Sequence, residues 1–192
     1  MNPNQPRFDI GRSTIHQVGL SCNAIPPERY GGIETVIANL SRGLVARGAD
    51  VVIYAPGDLG VDGARHVQTL PAPVAGPREG VMVANVAEHL DIIRTALADS
   101  YRPGDIVHLH HAEQAVVLYD LPQPLSVETA HWRNVGLRDH ILYPSRSLQD
   151  EVRRPGIVIP HGIDLAMFHC NGDETAREDF IFFAGRVSRE KG

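Results

Sequence analysis

Apolar residues in this chain follow two spacings, one typical of buried strands and the other of amphipathic helices. Residues 13–20 (STIHQVGL) are interpreted as a short strand. A helix is predicted directly downstream, because apolar side chains recur there at i, i+3, i+4, i+7 and i+11: Ile33, Val36, Ile37, Leu40 and Leu44. Arg47 and Gly48 then supply a cation and a glycine of the kind that ends helices. The chain is therefore expected to begin with a strand, a turn and a helix.

The same alternation continues along the chain. Compact apolar runs predict further strands at residues 51–55, 66–70, 106–109, 125–129, 141–143, 156–159 and 180–184. Helical patterns fall at residues 81–99, within residues 110–121, and after Ser145, whose side chain suits a helix N-cap. Strands that alternate with helices across short loops predict an α/β fold, a Rossmann-like parallel sheet with helices on both faces.

Three segments are expected from this pattern. Residues 1–12 are polar and are predicted to be a flexible tail, and residues 13–178 are predicted to form one Rossmann-like domain. Residues 179–192 contain one more strand pattern, which we interpret as the start of a second domain.

The composition of the chain argues against several classes of protein. With 43% hydrophobic and 21% charged residues, the chain has the balance of an ordinary globular protein, and its net charge of −5 argues against nucleic-acid binding. Cys22 and Cys170 lie far apart and predict neither a disulfide framework nor a metal-binding pair. No apolar run approaches the length of a membrane span. These features predict a cytoplasmic protein and leave docking to a membrane surface open.

The turn before the first helix contains Gly31 and Gly32. Free backbone N–H groups at the start of a helix attract an anion such as a phosphate. Glycines have no Cβ, so a ligand can approach the backbone closely. The alternative is a tight strand-to-helix turn without any ligand, and the turn alone leaves both interpretations open.

Several polar residues are predicted to lie at the carboxyl ends of the strands, where ligands bind in such sheets. They are Asn23, Tyr30 to Gly32, His108 to His111, His131, Ser145 and His161. His131 can donate to an anionic oxygen or polarise a hydroxyl group. The alternative for His131 is a purely structural hydrogen bond to a neighbouring carbonyl.

His108 and His110 stand two residues apart on a predicted strand and therefore share one face, as metal ligands often do. A zinc hydrolase with this motif would need an aspartate at the position of Ala112, and Glu113 does not complete a site. The pattern favours polar residues that line a cleft, and we predict no metal or other cofactor. A second basic turn near the end of the chain carries Arg186 and Lys191, which are suited to clamping a diphosphate.

Four motifs in order resemble the retaining glycosyltransferases of family 4, which have the GT-B fold. They are residues 26–34 (PPERYGGIE), residues 105–110 (DIVHLH), residues 159–164 (IPHGID) with Phe168, and residues 183–192 (FAGRVSREKG). Each motif is weak by itself, but the ordered set is specific. The resemblance covers nearly the whole chain and the first half of a family member.

The resemblance implies a function and roles for these residues. In the family, an acceptor-binding domain and a nucleotide-sugar-binding domain face each other across a cleft. Gly31 and Gly32 would lie against the diphosphate or the transferred sugar, and His131 would contact that sugar near the reacting carbon. Arg186 and Lys191 would neutralise the leaving diphosphate. The other polar residues would line the acceptor side of the cleft: Asn23, Tyr30, Glu34, His108, His110, Ser145 and His161.

The resemblance also implies a nucleotide-diphospho-sugar donor, an acceptor hydroxyl and transfer with retention. The family's paired glutamates of the second domain have no counterpart in this chain, and Glu34 and Glu128 do not match their motif. We therefore expect the isolated chain to be poorly active or inactive, and to be truncated or to work with a separate C-terminal domain or as a homo-oligomer. Two alternatives stay open: a non-catalytic Rossmann-like module that binds an anion or sugar, and half of a GT-B sugar-nucleotide epimerase.

Overall fold

The computed structural model describes residues 11–74, 79–137 and 140–165. Its strands are β1 (Thr14–Val18), β2 (Asp50–Ala55), β3 (Arg65–Gln68), β4 (Ile106–Leu109), β5 (Leu125–Thr129), β6 (Ile141–Tyr143) and β7 (Ile157–Val158). Its helices are α1 (Gly32–Val45), α2 (Glu79–Ser100), a 3-10 helix (Ala112–Leu118) and α3 (Arg146–Val152). These elements confirm the predicted ones up to residue 159. The predicted strand at residues 180–184, with Phe168, Arg186 and Lys191, lies outside the described residues.

All seven strands belong to one parallel sheet with the order β3-β2-β1-β4-β5-β6-β7. The strand order runs outward in one direction from β1 and in the other from β4. Such a reversal opens a crevice beyond the carboxyl ends of the two central strands, which is where open α/β sheets bind ligands. Gln17 of β1 pairs with His108 of β4 at this point. The fold thus brings two of the chain's buried polar side chains to the crevice.

Alternate residues of β2 point to opposite faces of the sheet, and a hydrophobic core forms on each face. Val52 and Tyr54 pack with Ile93 of α2, while Ile53 packs with Ile37 of α1. A smaller core around Ile141 and Tyr143 lies beneath α3. Burial on both faces explains why β2 is a continuous apolar run after its first residue rather than an alternating pattern.

Helix α1 is turned slightly from its predicted orientation. Ile37 is fully buried, whereas Ile33, Val36, Leu40 and Leu44 are half-buried; Glu34 and Ser41 are buried instead. The apolar stripe therefore marks the correct side of the helix but not the centre of its buried face.

The chain separates into a compact unit that ends at Gly162 and a second that begins at Ile163. Residues 163–165 are the described part of the second unit, so the predicted boundary between residues 178 and 179 lies outside the described residues. None of the helices in the described ranges has the length and apolarity that a membrane-spanning segment requires.

Candidate functional site

Four histidines meet at the carboxyl ends of the central strands. The rings of His108 and His110, at the end of β4, stack with centroids 4.3 Å apart. The His131 ring, just beyond β5, lies 5.5 Å from that of His110 and 5.1 Å from that of His161. The parallel register brings together residues far apart in the sequence because their strands end at the same edge.

Hydrogen bonds fix three of these rings. His110 Nε2 lies 3.0 Å from Gln17 Oε1, and His110 Nδ1 lies 3.2 Å from His131 Nε2. His108 Nε2 lies 2.8 Å from Thr129 Oγ1 on the neighbouring strand. A chain of polar contacts therefore leads from the buried centre of the sheet to His131.

The three rings are neutral at pH 7. Burial lowers the pKa of His108 to about 3 and that of His131 to about 4. Burial also holds the pKa of His110 well below its usual value, and the neighbouring histidines add to this effect. A neutral imidazole both donates and accepts one hydrogen bond, which suits recognition of hydroxyl groups.

Gln114 holds the two sides of the crevice together. Its Oε1 accepts from the backbone N–H groups of His110 (2.6 Å) and His111 (3.0 Å). Its Nε2 donates to the carbonyls of Val18 (3.1 Å) and Gly19 (2.8 Å), just past β1. One buried side chain thus bridges the segments that follow β1 and β4.

The Gly31-Gly32 turn leads into α1 at the same edge of the sheet, and no side chain caps the first turn of the helix. A Cβ on Gly31 would lie 2.7 Å from Pro27 Cβ and 2.9 Å from Glu34 Oε2. A Cβ on Gly32 would meet nothing within 4 Å, and that residue is exposed. Gly31 is therefore required by the turn itself, whereas the space beside Gly32 is open to a ligand.

The sequence profile of Glycosyltransferase Family 4 matches residues 30–167, which is most of the chain. The chain belongs to this family. The match confirms the family resemblance, and the observed sheet confirms the Rossmann-like α/β fold.

Two solved structures are similar to this family 4 chain. AviGT4, a glycosyltransferase involved in avilamycin A biosynthesis, is 27% identical to this chain with a TM-score of 0.68. The match covers 94% of this chain and 51% of the AviGT4 chain. The sucrose-phosphate synthase of Thermosynechococcus elongatus is 14% identical with a TM-score of 0.60 and has a similar fold. That match covers 82% of this chain and 50% of the synthase chain. The chain spans about half the length of both proteins. No curated protein matches it significantly.

Other predicted site residues of the family 4 chain lie apart from the histidines or have structural contacts. Ser145 is exposed and caps α3, with its Oγ accepting from Leu148 N at 3.2 Å. The Asn23 amide donates to Cys22 Sγ at 3.7 Å, and Tyr30 is exposed on the loop before α1. Glu34 is buried and accepts from the Cys22 thiol at 3.5 Å. Burial and this carboxylate raise the Cys22 pKa to about 11, so the thiol is not a reactive nucleophile.

Glu128 has a structural role. Its buried carboxylate accepts from Gly136 N (2.8 Å) and Leu137 N (2.7 Å) and so shapes the loop after β5. Burial raises the pKa of Glu128, while these backbone donors oppose that rise. The loop also carries Trp132, whose exposed ring meets the edge of the His111 ring at 5.3 Å. Among the described residues, no group of three metal-ligating side chains is placed to hold a metal ion.

Sequence analysis missed Gln17, Gln114 and Thr129 as parts of the site. Gln17 carried a usable signal, because a polar side chain inside a strand that is buried on both faces needs a hydrogen-bond partner. Gln114 carried a second signal. His111 is the N-cap of the 3-10 helix, and a glutamine three residues after an N-cap completes a capping box. Thr129 ends a strand and gave no distinguishing signal.

Proposed function

We propose that this chain supplies the acceptor-side domain of a retaining glycosyltransferase. The reaction moves a sugar, of hexosyl type, from a nucleotide-diphospho-sugar to an acceptor hydroxyl, and the nucleoside diphosphate leaves. The donor is held jointly with a second domain, which is either joined to this chain or supplied by a separate partner or another copy. A cytoplasmic location stays a prediction from the sequence.

One observation supports this proposal above the others. The chain belongs to glycosyltransferase family 4, and two features lie at the ligand-binding edge of its sheet. One is the half-buried ring of His131, which packs between His110 and His161. The other is the start of α1, which has no side-chain cap. A neutral imidazole can donate to and accept from a hydroxyl group, and free backbone N–H groups can donate to oxygen atoms of a ligand. We assign contact with the transferred sugar to His131, and the clamping of the diphosphate to Arg186 and Lys191, which lie outside the described residues.

The contacts of Glu34 bear on which part of the donor meets the glycines. The carboxyl group of Glu34 lies directly beside the turn: a Cβ added to Gly31 would be only 2.9 Å from Glu34 Oε2. A carboxylate repels a phosphate and accepts from a hydroxyl. Of the two contacts that the family resemblance implied, the transferred sugar therefore suits Gly31 better than the diphosphate.

The substitution Gly32→Ala tests whether a ligand approaches this turn. The added methyl group meets nothing in the protein, so we expect stability to be unchanged or slightly raised. If a donor lies against the backbone here, displacement of the donor by the methyl group lowers kcat/KM for transfer on the order of tenfold or more. Thermal unfolding and steady-state transfer by the natural protein provide the two measurements.

The matched control is Gly43→Ala, farther along α1, where a Cβ lies 3.6 Å from the Arg47 guanidinium. Alanine is the better helix former, so this variant is expected to keep its activity and gain up to about 1 kcal/mol of stability. Full activity in Gly32→Ala would contradict a close approach of the donor to this turn.

The proposed reaction itself is tested on the protein isolated from its natural source. Its intact mass shows whether a second domain of about 150 residues is attached, and its products are then analysed with a panel of nucleotide-diphospho-sugars. A glycoside with the anomeric configuration of the donor supports the proposal. An epimerised nucleotide-sugar supports the epimerase alternative. Donor binding without turnover, by a protein that has no second domain or partner, supports a binding module.

A further inference from the structure

The hydrogen-bond chain from Gln17 through His110 to His131 couples the positions of the ring hydrogens on the two histidines. We infer that Gln17 and His110 are positioning residues that hold His131 in one tautomer, with its hydrogen on Nε2 and a bare Nδ1. The functional meaning of this inference rests on the proposed transferase site, but the hydrogen-bond chain is a property of the protein alone.

The tautomer follows step by step from the contacts. The amide oxygen of Gln17 can only accept, so His110 Nε2, 3.0 Å away, must donate to it. A neutral imidazole carries one N–H, which leaves His110 Nδ1 bare. His131 Nε2, 3.2 Å from that nitrogen, must then be the donor. His131 Nδ1 is left with its lone pair.

The inferred tautomer requires a neutral His110, and the surroundings of this ring keep it neutral. The side chain is 1% exposed, and the described groups that face it are Gln17, His108, His131 and His161. None of these groups is a carboxylate that would compensate a charge on His110, and an unpaired buried cation is strongly unfavourable.

The bare nitrogen selects a particular ligand chemistry. The His131 ring is half-buried, and its Nδ1 has no hydrogen-bond partner in the described part of the chain. A nitrogen lone pair accepts a hydrogen bond from a hydroxyl group and repels an anionic oxygen. His131 therefore binds a hydroxyl of the sugar or of the acceptor, and does not bind a phosphate oxygen. Of the two roles that the sequence left open for His131, the inferred tautomer favours contact with a hydroxyl.

One competing arrangement gives the opposite result. Gln17 Nε2 is buried and has no partner among the described residues. If the amide were turned over, Nε2 would donate to His110, His110 Nδ1 would donate to His131, and His131 would carry its hydrogen on Nδ1. The two arrangements therefore predict different protonated nitrogens in both rings.

Nitrogen-15 NMR of the imidazole rings in the 192-residue chain at pH 7, without ligand, distinguishes them. We expect a protonated Nε2 and a bare Nδ1 for both His110 and His131. A protonated Nδ1 on His131, alone or together with Nε2, would overturn the inference. This measurement needs no turnover, so a failure to detect glycosyl transfer would refute the proposed function and leave the tautomer result standing.

The substitution Gln17→Leu tests the assigned cause. Without the amide oxygen, a hydrogen on His110 Nε2 would be buried and unpaired, so it is expected to move to Nδ1 and reverse the tautomers of both rings. The control is Tyr54→Phe, which removes a comparable buried contact of 2.9 Å to His16 Nδ1; because His16 points to the opposite face of the sheet from Gln17, this variant should leave His131 unchanged. Unaltered His131 signals in folded Gln17→Leu would refute the role of Gln17. If that variant does not fold, the wild-type spectrum alone decides the tautomer.

Discussion

Lowering the pH from 7 to 5 is expected to destabilise the fold by several kcal/mol, because histidines that are neutral when folded become protonated when unfolded. Burial lowers the pKa of each of five histidines: His16, His89, His108, His110 and His131. The unfolded chain binds more protons below its histidine pKa of about 6.5, and so stability falls as the pH falls. The loss begins near that pKa and, for His131, stops growing near its folded pKa of about 4.

His108 alone indicates how large the loss of stability is. Its pKa is about 3 in the folded protein, so the ring stays neutral at pH 5 while the same ring is protonated in the unfolded chain. This difference lowers the free energy of unfolding by about 2 kcal/mol at pH 5. The other four act in the same direction. Since domains are stable by only about 5–15 kcal/mol, urea unfolding midpoints should fall steeply between pH 6.5 and pH 5. Urea titrations at several pH values, followed by circular dichroism, measure this loss.

Two variants of neighbouring residues isolate the contribution of His108. His108→Leu removes one titrating group and should lose about 2 kcal/mol less than the wild type between pH 7 and pH 5. Val107→Ala, at a fully buried position in the same strand, should lower stability by the same amount at every pH. Identical pH slopes in the wild type and His108→Leu would show that His108 does not stay neutral in the fold.

The sequence predicted the strands well because those of a doubly covered parallel sheet are short apolar runs between turn residues. Residues 106–109, 125–129 and 141–143 were predicted with the bounds that the structure shows. Strand order is not encoded locally, so the adjacency of β1 and β4, and with it the pairing of Gln17 with His108, emerged only from the fold. The orientation of α1 was missed for a related reason, since Glu34 is buried through its contact with Cys22.

The sequence placed polar side chains correctly where a residue follows a strand, and it missed residues whose contacts depend on a distant partner. His108, His110, His131 and His161 were expected at the carboxyl ends of strands, and the structure brings them together. Ser145 and Asn23 met the same criterion, but the N-cap of α3 and the Cys22 thiol account for their observed hydrogen bonds. Gln114 was missed because its partners Val18 and Gly19 lie about 95 residues earlier in the chain.

Replacing Gln114 by leucine is expected to cost roughly 4 kcal/mol, about 1 kcal/mol for each of four buried hydrogen bonds. Leucine occupies a similar volume, so the loss reflects two backbone N–H groups and two carbonyls left without this partner. The wild-type His110 and His111 amides should be strongly protected from hydrogen exchange, and both should exchange faster in the variant. Denaturant unfolding and exchange measured by NMR together report the global and the local effect.

The suitable control is Gln149→Leu in α3, because Gln149 also bridges two groups, the Arg146 guanidinium and the Gly156 carbonyl, but near the surface. There water replaces the lost partners, and we expect a cost below about 1 kcal/mol. Equal stability of the two variants would refute the bridging role of Gln114. Since this side chain ties the end of β1 to the end of β4, Gln114→Leu should also loosen the His110–His131 contact and broaden the ring signals of both histidines, whereas Gln149→Leu should leave them sharp.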